Sequence, residues 1–448
     1  MSEKVSPQNY DNAAADAAAN SAPAIQVGDT FELTIERMAH GGEGIGVAPD
    51  GRVVFVQGGF PGDVVSTQVS KVKKSFAHAV LKSVVSAGPH RTTSSCPAAE
   101  LGAGCCDFAE LAPTSEIGIK LDVLVDQLHR VAKINDIPDI DTINLNPQRG
   151  WRTRVRLGVD EQGRAGTRKR GSNEIVHEVP CTQLVPSLVD GLVGADARRF
   201  TPGAEVIAVL DSDGKRHVVE TSKAPRGRRV EKVTTVIEGS GDVNQEADGH
   251  RFHFPATAFW QAHVDAPDTY STVIREFLKD CPQTVGREPL GWDLYGGVGV
   301  FVPAIARSLG SPQKPARVIS VDYSPAATAL NQSDLEQYEV DVVSDRVEKV
   351  AAQLPGPTAV VMDPPRTGAG KDVVSTVASV SPQRVVHVGC DPATFSRDIG
   401  YWNEHGFRMQ RLTLVNAFPG THHFEVIALL EPGVAEQEDS ENEEASAQ

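Results

Sequence analysis

Hydrophobic and polar positions alternate in two different patterns along this chain. From residue 27 to about 88, apolar runs of strand length are separated by turns that contain glycine, as in RVVFVQG at 52–58. From about 285 onward, short apolar runs are separated by stretches with helical spacing. The first pattern predicts a small OB-like β-barrel, and the second predicts an α/β domain with a doubly wound, mostly parallel sheet.

The chain between these two parts predicts a mixed α+β domain. Leu and Val recur at helical spacing from 117 to 134, whereas RTRVRLGV at 152–159 alternates in the manner of a strand. Both chain ends lack apolar periodicity, so we expect them to be disordered. The predicted division is a disordered arm at 1–24, the barrel at 25–90, a central domain at 91–284, the α/β domain at 285–432 and an acidic disordered tail at 433–448.

The 448 residues include 43 Lys and Arg against 59 Asp and Glu, a formal charge of −16. Taken alone, this balance argues against binding to nucleic acid. However, the tail holds six acidic side chains and no basic one, while residues 151–170 hold seven basic against two acidic side chains. A second basic stretch spans 222–232. On one surface, the two stretches would form a track for phosphates that includes Arg152, Arg154 and Arg168.

No apolar run reaches 18 residues, and the first residues lack a basic segment followed by an apolar one. We therefore expect no membrane span, no secretory signal, a cytoplasmic location and a monomer. The six cysteines do not resemble the disulfide framework of a secreted protein, and two of them are adjacent. Four of the cysteines are candidate metal ligands: Cys96, Cys105, Cys106 and Cys181.

A glycine-rich turn at 293–301, DLYGGVGVF, follows an apolar strand and precedes a predicted helix. Glycines at such a turn let the backbone approach a ligand at the carboxyl edge of a sheet. The spacing is not the G-x-G-x-x-G of dinucleotide-binding proteins, which argues against a nicotinamide cofactor. Asp293 at the strand end suits a cofactor with a methionine moiety, and Asp322 after the next strand suits ribose hydroxyls.

Further along the chain, three strands lie beside groups that support chemistry. Asp363 begins the motif DPPRTG, Cys390 follows the strand RVVHVG, and Glu425 lies beside the last strand. Because the carboxyl ends of strands in a doubly wound sheet converge, we expect these three side chains to meet in one crevice. Together they would supply an acid, a thiol and a base.

The order of these motifs resembles that of the class I, S-adenosylmethionine-dependent RNA 5-methyluridine methyltransferases. AHGGEGIG and FVQGGFPGD resemble the TRAM domain, an RNA-binding barrel of that family. FWQ at 259–261, DLYGGVGVF, DPPRTG, GCDPATFSRD and FPGTHHFE then follow in the family's order, so the similarity runs from about 27 to 431. The resemblance implies a Rossmann-like catalytic domain preceded by a TRAM barrel and a central RNA-binding insertion.

The resemblance also implies a mechanism and roles for individual residues. A thiolate of Cys390 would add to C6 of a uridine in ribosomal RNA, C5 would take the methyl group from S-adenosylmethionine, and Glu425 would remove the C5 proton. The uridine would have to leave its stack. The implied cofactor-binding residues are Gln261, Asp293, Tyr295, Gly296, Gly299, Asp322, Asp345 and Asp363, and the implied RNA-binding residues are Arg152, Arg154, Arg168 and Arg366. The implied ligands of a [4Fe–4S] cluster are Cys96, Cys105, Cys106 and Cys181.

The chain departs from the family pattern at several places. Gly297 stands where many members have Cys, and Asp391 replaces a more usual Asn, which should raise the pKa of the neighbouring thiol. Cys105 and Cys106 are adjacent, which is awkward for two ligands of one cluster, so a zinc-type or vestigial site stays open. The T-loop of transfer RNA stays open as the substrate. A noncatalytic RNA-binding or ribosome-assembly factor stays open as a different class of function.

Overall fold

The computed structural model describes residues 3–5 and 23–433, apart from 227–228, 284, 312, 325–328 and 330–331. Within the arm that the sequence predicts to be disordered, Glu3–Val5 forms a strand, β1, which pairs with β8 (Ile140–Asn144). Such pairing satisfies the backbone N–H and C=O groups at the edge of the sheet. It needs no particular side chains, so the local sequence did not predict this strand. The remainder of the predicted arm before 23, and the predicted acidic tail from 434 onward, lie outside the described residues.

The predicted barrel is confirmed as a six-stranded sheet. Its strands are β2 (Thr30–Thr34), β3 (Arg37–Met38), β4 (Glu43–Val47), β5 (Val53–Gln57), β6 (Val64–Val72) and β7 (Phe76–Ser86). Their order is β2-β6-β7-β5-β4-β3, and β2 at one end of the sheet also contacts β4 near the other end. A Cβ on Gly46 of β4 would lie only 2.5 Å from the Thr34 carbonyl oxygen of β2, so this contact requires glycine.

The FPGD motif joins the barrel to the chain that follows it. Asp63 is fully buried, and its carboxylate accepts hydrogen bonds from the N–H groups of Phe60 and Gly88, both at 2.8 Å. The same carboxylate pairs with Arg91 at 2.7 Å. One buried acid therefore holds the turn after β5 and the exit from β7 together, because each of its oxygens is matched by a donor.

A second six-stranded antiparallel sheet forms the central domain. Its strands are β9 (Arg154–Val159), β10 (Ala165–Arg168), β11 (Ile175–Val176), β12 (Glu205–Leu210), β13 (Arg216–Arg226) and β14 (Arg229–Glu238), accompanied by the short helices α1 (Pro97–Glu100) and α3 (Pro186–Val189). The order is β11-β10-β9-β12-β13-β14. A hairpin of β15 (Asp242–Ala247) and β16 (His250–Pro255) follows.

The predicted doubly wound sheet is also confirmed. Its strands are β17 (Leu290–Leu294), β18 (Arg317–Val321), β19 (Val340–Val343), β20 (Ala359–Met362), β21 (Arg384–Gly389), β22 (Phe407–Asn416) and β23 (Glu425–Pro432). The helices between them are α5 (Val302–Leu309), α6 (Val347–Val350), α7 (Gly370–Ser379) and α8 (Pro392–Glu404). The first five of these strands are parallel, whereas β23 is antiparallel to both β21 and β22. All residues of β17 and β20 are buried, as expected for strands covered on both faces.

The predicted central domain, 91–284, is divided between two sheets. β8 pairs in parallel with β22, so the order of the large sheet is β1-β8-β22-β23-β21-β20-β17-β18-β19. Helices α2 (Pro113–Gln127) and α4 (Ala266–Leu278) pack on opposite faces of this sheet. These parts therefore belong with the large sheet. The sequence did not predict this, because two paired strands so far apart in sequence leave no local pattern. Among the described residues, no helix is both long and apolar enough to cross a membrane.

Candidate active site

The carboxyl end of β17 carries a buried carboxyl group. Asp293 is 1% exposed, and its Oδ2 accepts a hydrogen bond from the Ser320 hydroxyl of β18 at 3.0 Å. Its Oδ1 has no partner among the described residues. Burial raises the pKa of Asp293 to about 7, and the charges of Asp322 and Asp363 add to the rise. A buried acid with a free acceptor atom suits a ligand that donates hydrogen bonds.

The glycine-rich loop after β17 is held tightly against this acid. Tyr295 has a φ of +62°, a left-handed conformation that is uncommon for a residue with a side chain. A Cβ on Gly296 would lie 2.2 Å from Asp293 Oδ2, so glycine is required there. The N–H of Gly297 donates to the Asp322 carboxylate at 3.1 Å. The loop therefore leaves a cradle between the ends of β17 and β18, bounded by Asp293 and Asp322.

The other predicted cofactor-binding residues differ in their position relative to this cradle. Gly299, at a φ of +83°, lies just before α5, and a Cβ there would lie 2.8 Å from Leu335 Cδ1. Gln261 is 8% exposed in the loop before α4. Asp345 follows β19 at the same sheet edge, but its carboxylate pairs with Lys349 at 3.3 Å. The structure thus couples Asp322 directly to the loop and leaves Asp345 in a surface ion pair.

Cys390 and Glu425 lie next to each other at the end of the paired strands β21 and β23. β21 and β23 are antiparallel with Gly389 opposite Val426, so the next residues outward are Cys390 and Glu425. Asp363 directly follows the neighbouring strand β20. The predicted acid, thiol and base therefore come together at one edge of the sheet, beside the loop after β17.

Burial dominates the electrostatics of this trio. Glu425 is 5% exposed, and burial, with the charge of Asp363, raises its pKa well above the usual range. Burial also raises the pKa of Asp363 to about 7. It raises the pKa of the Cys390 thiol to about 12, and the charges of Glu425 and Asp363 add to that rise. The nearby cation of Arg366 opposes the change at both Cys390 and Glu425.

Asp391, which departs from the family pattern, caps the helix after the thiol. Its carboxylate accepts hydrogen bonds from the N–H groups of Ala393 at 3.1 Å and Thr394 at 2.8 Å, at the start of α8. Asn and Asp cap helices equally well, so Asp391 keeps the helix cap that an Asn would provide at this position. The charge of Asp391 does add to the raised pKa of Cys390, as the sequence predicts, but it ranks behind burial and the other nearby charges.

Helix α8 also holds the DPPRTG loop that presents Arg366. The Thr394 hydroxyl donates to the Arg366 carbonyl oxygen at 2.9 Å. Arg397 donates to the Thr367 carbonyl oxygen at 2.8 Å and pairs with the buried Asp398 at 2.7 Å. Arg397, which is near the thiol in sequence, is therefore occupied by these contacts. Arg366 is the cation beside the thiol.

Sequence reasoning missed Tyr270, a residue of α4. Its side chain is fully buried, and its hydroxyl has no partner among the described residues. Burial raises the pKa of this phenol, and the charges of Glu425, Asp363 and Cys390 raise it further, which places Tyr270 beside the trio. The sequence offered one signal, a tyrosine on the apolar face of an amphipathic helix.

The two aromatic residues of FWQ have different environments. Trp260 is 7% exposed and packs against Phe252 and Phe254, with ring centroids 5.7 and 5.3 Å apart. Phe259 is 73% exposed. The sequence allows either residue to stack on bases or to lie in the core. The structure assigns Trp260 to the core and leaves Phe259 free to contact a ligand.

Three of the four predicted RNA-binding arginines have no ion pair among the described residues: Arg152, Arg154 and Arg366. The Arg152 guanidinium lies 4.8 Å from the ring centroid of Trp151, and Arg154 donates to the Thr257 carbonyl oxygen at 3.3 Å. Burial lowers the pKa of Arg154 to about 10, and neighbouring arginines, Arg152 among them, lower it further. Unpaired cations this close together attract anions.

The fourth predicted arginine is partly neutralised. Arg168 lies 3.4 Å from the carboxylate of Glu205, which also pairs with Arg156 at 2.8 Å. The predicted basic surface therefore has a strong part at Arg152, Arg154 and Arg366 and a weaker part at Arg168.

The four predicted metal ligands come together in the core of the central domain. The sulfur atoms of Cys96, Cys105, Cys106 and Cys181 all lie within 4.8 Å of one another. Cys105 and Cys106 lie in a turn, so their side chains converge although the residues are adjacent. A tetrahedron of sulfurs about 2.3 Å from one zinc ion has edges of about 3.8 Å. The observed pairs at 3.4 Å and 3.9 Å fit a single ion as they stand.

A solved structure shares the fold of most of the chain. A Pyrococcus abyssi protein, described as tRNA (uracil-54, C5)-methyltransferase in complex with S-adenosyl-L-homocysteine, has a TM-score of 0.61 and 17% identity. The similarity covers 89% of this chain and 100% of that one. The fold is thus that of a class I methyltransferase.

Sequence comparisons identify the family. Residues 25–82 match the TRAM domain, and residues 344–432 match the family described as tRNA (Uracil-5-)-methyltransferase. A Corynebacterium glutamicum protein described as an uncharacterized RNA methyltransferase is 52% identical over 404 residues, 90% of this chain and 97% of that protein. One from Streptomyces avermitilis with the same description is 30% identical over 437 residues, 91% and 99% of the two chains. The chain belongs to the 5-methyluridine RNA methyltransferase family and is an RNA methyltransferase with a TRAM domain.

Proposed function

We propose that this protein transfers a methyl group from S-adenosylmethionine to C5 of a uridine in ribosomal RNA, through a covalent bond between Cys390 and C6. The observation that carries the proposal is the position of Cys390 and Glu425 next to each other, directly beyond the last residue pair of β21 and β23. C5 of uracil is a poor nucleophile, and a thiolate that adds to C6 makes it a strong one. A base is then needed for the C5 proton, and the facing carboxyl group supplies it.

The steps follow from this pairing. The Cys390 thiol gives its proton to solvent, which the nearby Arg366 cation favours, and the thiolate forms a bond to C6. The electrons of the C5–C6 double bond move toward C5 and the C4 carbonyl oxygen, and the resulting enolate makes C5 nucleophilic. C5 forms a bond to the methyl carbon, and the bond from that carbon to the sulfonium breaks. The C5 proton passes to Glu425, the double bond returns, and the bond between sulfur and C6 breaks. Because burial raises the pKa of Glu425, its carboxylate is a strong base once it has lost its own proton.

The cradle beside β17 fits the methyl donor. The unpartnered Oδ1 of Asp293 would accept hydrogen bonds from the ammonium group of the methionine moiety. The Asp322 carboxylate at the end of β18 would hold the ribose hydroxyls. Gly296 keeps the loop close enough to Asp293 for a ligand to lie against the backbone. Bound there, S-adenosylmethionine supplies an electrophilic methyl group.

Transfer RNA is the second candidate substrate. The structural relative is described as acting on uracil 54 of tRNA, which favours the T-loop. We place ribosomal RNA first because the TRAM barrel is a feature that the resemblance associates with ribosomal targets. In both cases, the three unpaired arginines would hold phosphates, and the exposed Phe259 would stack on a base.

One experiment tests this proposal and chooses between the substrates. The protein is incubated with methyl-labelled S-adenosylmethionine and total RNA, and the labelled nucleotide is mapped. We expect 5-methyluridine in ribosomal RNA from the wild type and from Cys281→Ala, a matched control because Cys281 is buried elsewhere. Cys390→Ala should transfer no label. Label in the T-loop alone would replace the ribosomal substrate, and no label in any RNA would contradict the enzymatic proposal.

We further propose that Cys96, Cys105, Cys106 and Cys181 hold a metal centre. Their spacing fits one tetrahedral ion, and a [4Fe–4S] cluster would need the sulfurs to move apart. Zinc, iron and acid-labile sulfide are measured in anaerobically purified protein. About one zinc per chain without sulfide indicates the single ion, and about four iron and four sulfide indicate the cluster. Absence of both would contradict the proposal.

A further inference from the structure

The loop that leads into Glu425 is held by the cysteine-bearing part of the chain. Residues 417–424 connect β22 to Glu425, the first residue of β23. In this loop, the Gly420 N–H donates to the Glu116 carboxylate of α2 at 3.0 Å, and the Gly420 carbonyl accepts from the Phe108 N–H at 3.1 Å. The backbone just before the base is therefore fixed from outside the catalytic sheet.

A further contact of this loop joins Asp107 to His422. Asp107 directly follows Cys106, and its side chain is 7% exposed. Its Oδ2 accepts a hydrogen bond from the His422 N–H at 3.1 Å and also contacts Nδ1 of the same ring. Its Oδ1 pairs with Arg170 at 2.7 Å. Backbone and side chain of His422 are thus held by a single carboxylate.

A chain of contacts leads from His422 through His423 to Arg366, the cation beside the catalytic thiol. The rings of His422 and His423 have centroids 3.9 Å apart, and His423 Nε2 lies 3.5 Å from Arg366 Nη2. Burial lowers the pKa of His423 to about 3, and the neighbouring His422 and Arg366 add to this lowering, so the His423 ring is neutral. A neutral ring can accept a hydrogen bond from the guanidinium that lies beside Cys390.

The barrel contributes a third contact at the same point. Gly42, in the turn between β3 and β4, has a φ of +78°, and a Cβ there would lie 2.7 Å from the Cβ of His422. The barrel turn therefore lies directly against the histidine that Asp107 holds. His422 is the point at which the barrel, the cysteine-bearing segment and the catalytic sheet meet.

We propose that His422 is a positioning residue, through which Asp107 and the barrel fix the loop of Glu425 and, by way of His423, the guanidinium of Arg366. This inference rests on the proposed role of Glu425 as the base. It gives the cysteine-bearing segment a defined effect on catalysis, because Asp107 is covalently next to a cysteine of the four-sulfur group. Small displacements of a base from its proton lower the rate steeply.

His422→Ala tests the proposal directly. We expect kcat for methyl transfer to fall about tenfold or more, with KM for S-adenosylmethionine nearly unchanged, because the loop before Glu425 moves while the cradle beside β17 stays in place. Amide hydrogen exchange of 417–424 should become faster. His422→Asn, which keeps a side-chain donor for Asp107, should restore much of the rate. His405→Ala is the matched control, since His405 is exposed in the same domain and should match the wild type.

The outcomes separate this inference from the function on which it rests. Unchanged kcat and unchanged exchange in His422→Ala would overturn the positioning role. A fall in kcat that His422→Asn does not restore, together with a rise in KM for S-adenosylmethionine, would also overturn it in favour of a general loss of structure. If the wild type transferred no methyl group, the proposed function would fail, whereas the exchange measurement would still report whether Asp107 and His422 hold the loop.

Discussion

At the scale of single residues, Asp293 combines its proposed binding role with a cost in stability. Its carboxyl group is buried, and its pKa is raised to about 7. Between about pH 4 and pH 7, the folded protein therefore holds a proton that the unfolded chain has lost. Since the folded state binds more protons, the free energy of unfolding falls as pH rises through this range.

We predict that Asp293→Asn removes this pH dependence. The variant should be more stable than the wild type at pH 8, by at most about 4 kcal/mol, and the difference should shrink at pH 5. Thermal unfolding at the two pH values measures this effect. The same variant should lose the stabilisation that S-adenosylhomocysteine gives the wild type. A wild type whose stability rises between pH 5 and pH 8 relative to the variant would contradict the account.

Individual residues also show where sequence reasoning reaches its limit. The sequence placed Cys390, Glu425 and Asp363 at one sheet edge, because strand ends in such sheets converge by rule. It did not identify Arg366 as the cation beside the thiol, because the position of that side chain depends on helix α8. It also treated adjacent cysteines as divergent, which holds for extended backbone, whereas Cys105 and Cys106 lie in a turn.

At the scale of elements, strand β9 shows which arginines of the proposed RNA-binding surface are available for phosphates. Arg154 and Arg156 lie two residues apart on this strand, yet only Arg156 has a carboxylate partner, Glu205. Alternation along the strand is visible in the sequence, but the partner comes from β12. The sequence could therefore predict a basic strand but not which of its arginines remain available for phosphates.

We predict that Arg154→Ala weakens binding to ribosomal RNA and reduces the slope of log K against log salt by about one, as expected for one lost phosphate contact. Arg251→Ala is the matched control, because Arg251 is paired with Asp213 at 2.5 Å and with Glu246 at 3.0 Å on another element. Fluorescence anisotropy at several KCl concentrations measures both. Equal slopes for Arg154→Ala and the wild type would exclude Arg154 from the phosphate track.

At the scale of the whole molecule, the parts of the chain are more interleaved than the sequence suggests. The barrel and the α/β sheet follow from periodicity, and both are confirmed. The assignment of β8, α2 and α4 to the central domain is not confirmed, because these elements join the catalytic sheet through contacts with distant residues. The formal charge of −16 likewise hides a locally basic surface, since six of the acidic side chains lie in the last sixteen residues.

The four cysteines give a prediction at this scale, because they lie in the hydrophobic core of the central domain. Cys181→Ser should remove bound metal and lower the free energy of unfolding by about 3 kcal/mol or more. Cys281→Ser, at a buried cysteine outside the group, should keep the metal. Metal analysis and thermal unfolding of both variants provide the measurement. Full metal content in Cys181→Ser would remove this residue from the proposed centre.

The most direct test of the central claim is a search for the covalent intermediate. In Glu425→Gln, the thiol can still add to C6 and the methyl group can still be transferred, but the C5 proton has no base to accept it. We therefore predict a protein–RNA species that survives a denaturing gel, with a methylated uridine attached to Cys390 in mass spectrometry, and no such species when Cys390→Ala is added. Absence of the species in Glu425→Gln, or its persistence in the double variant, would contradict the account.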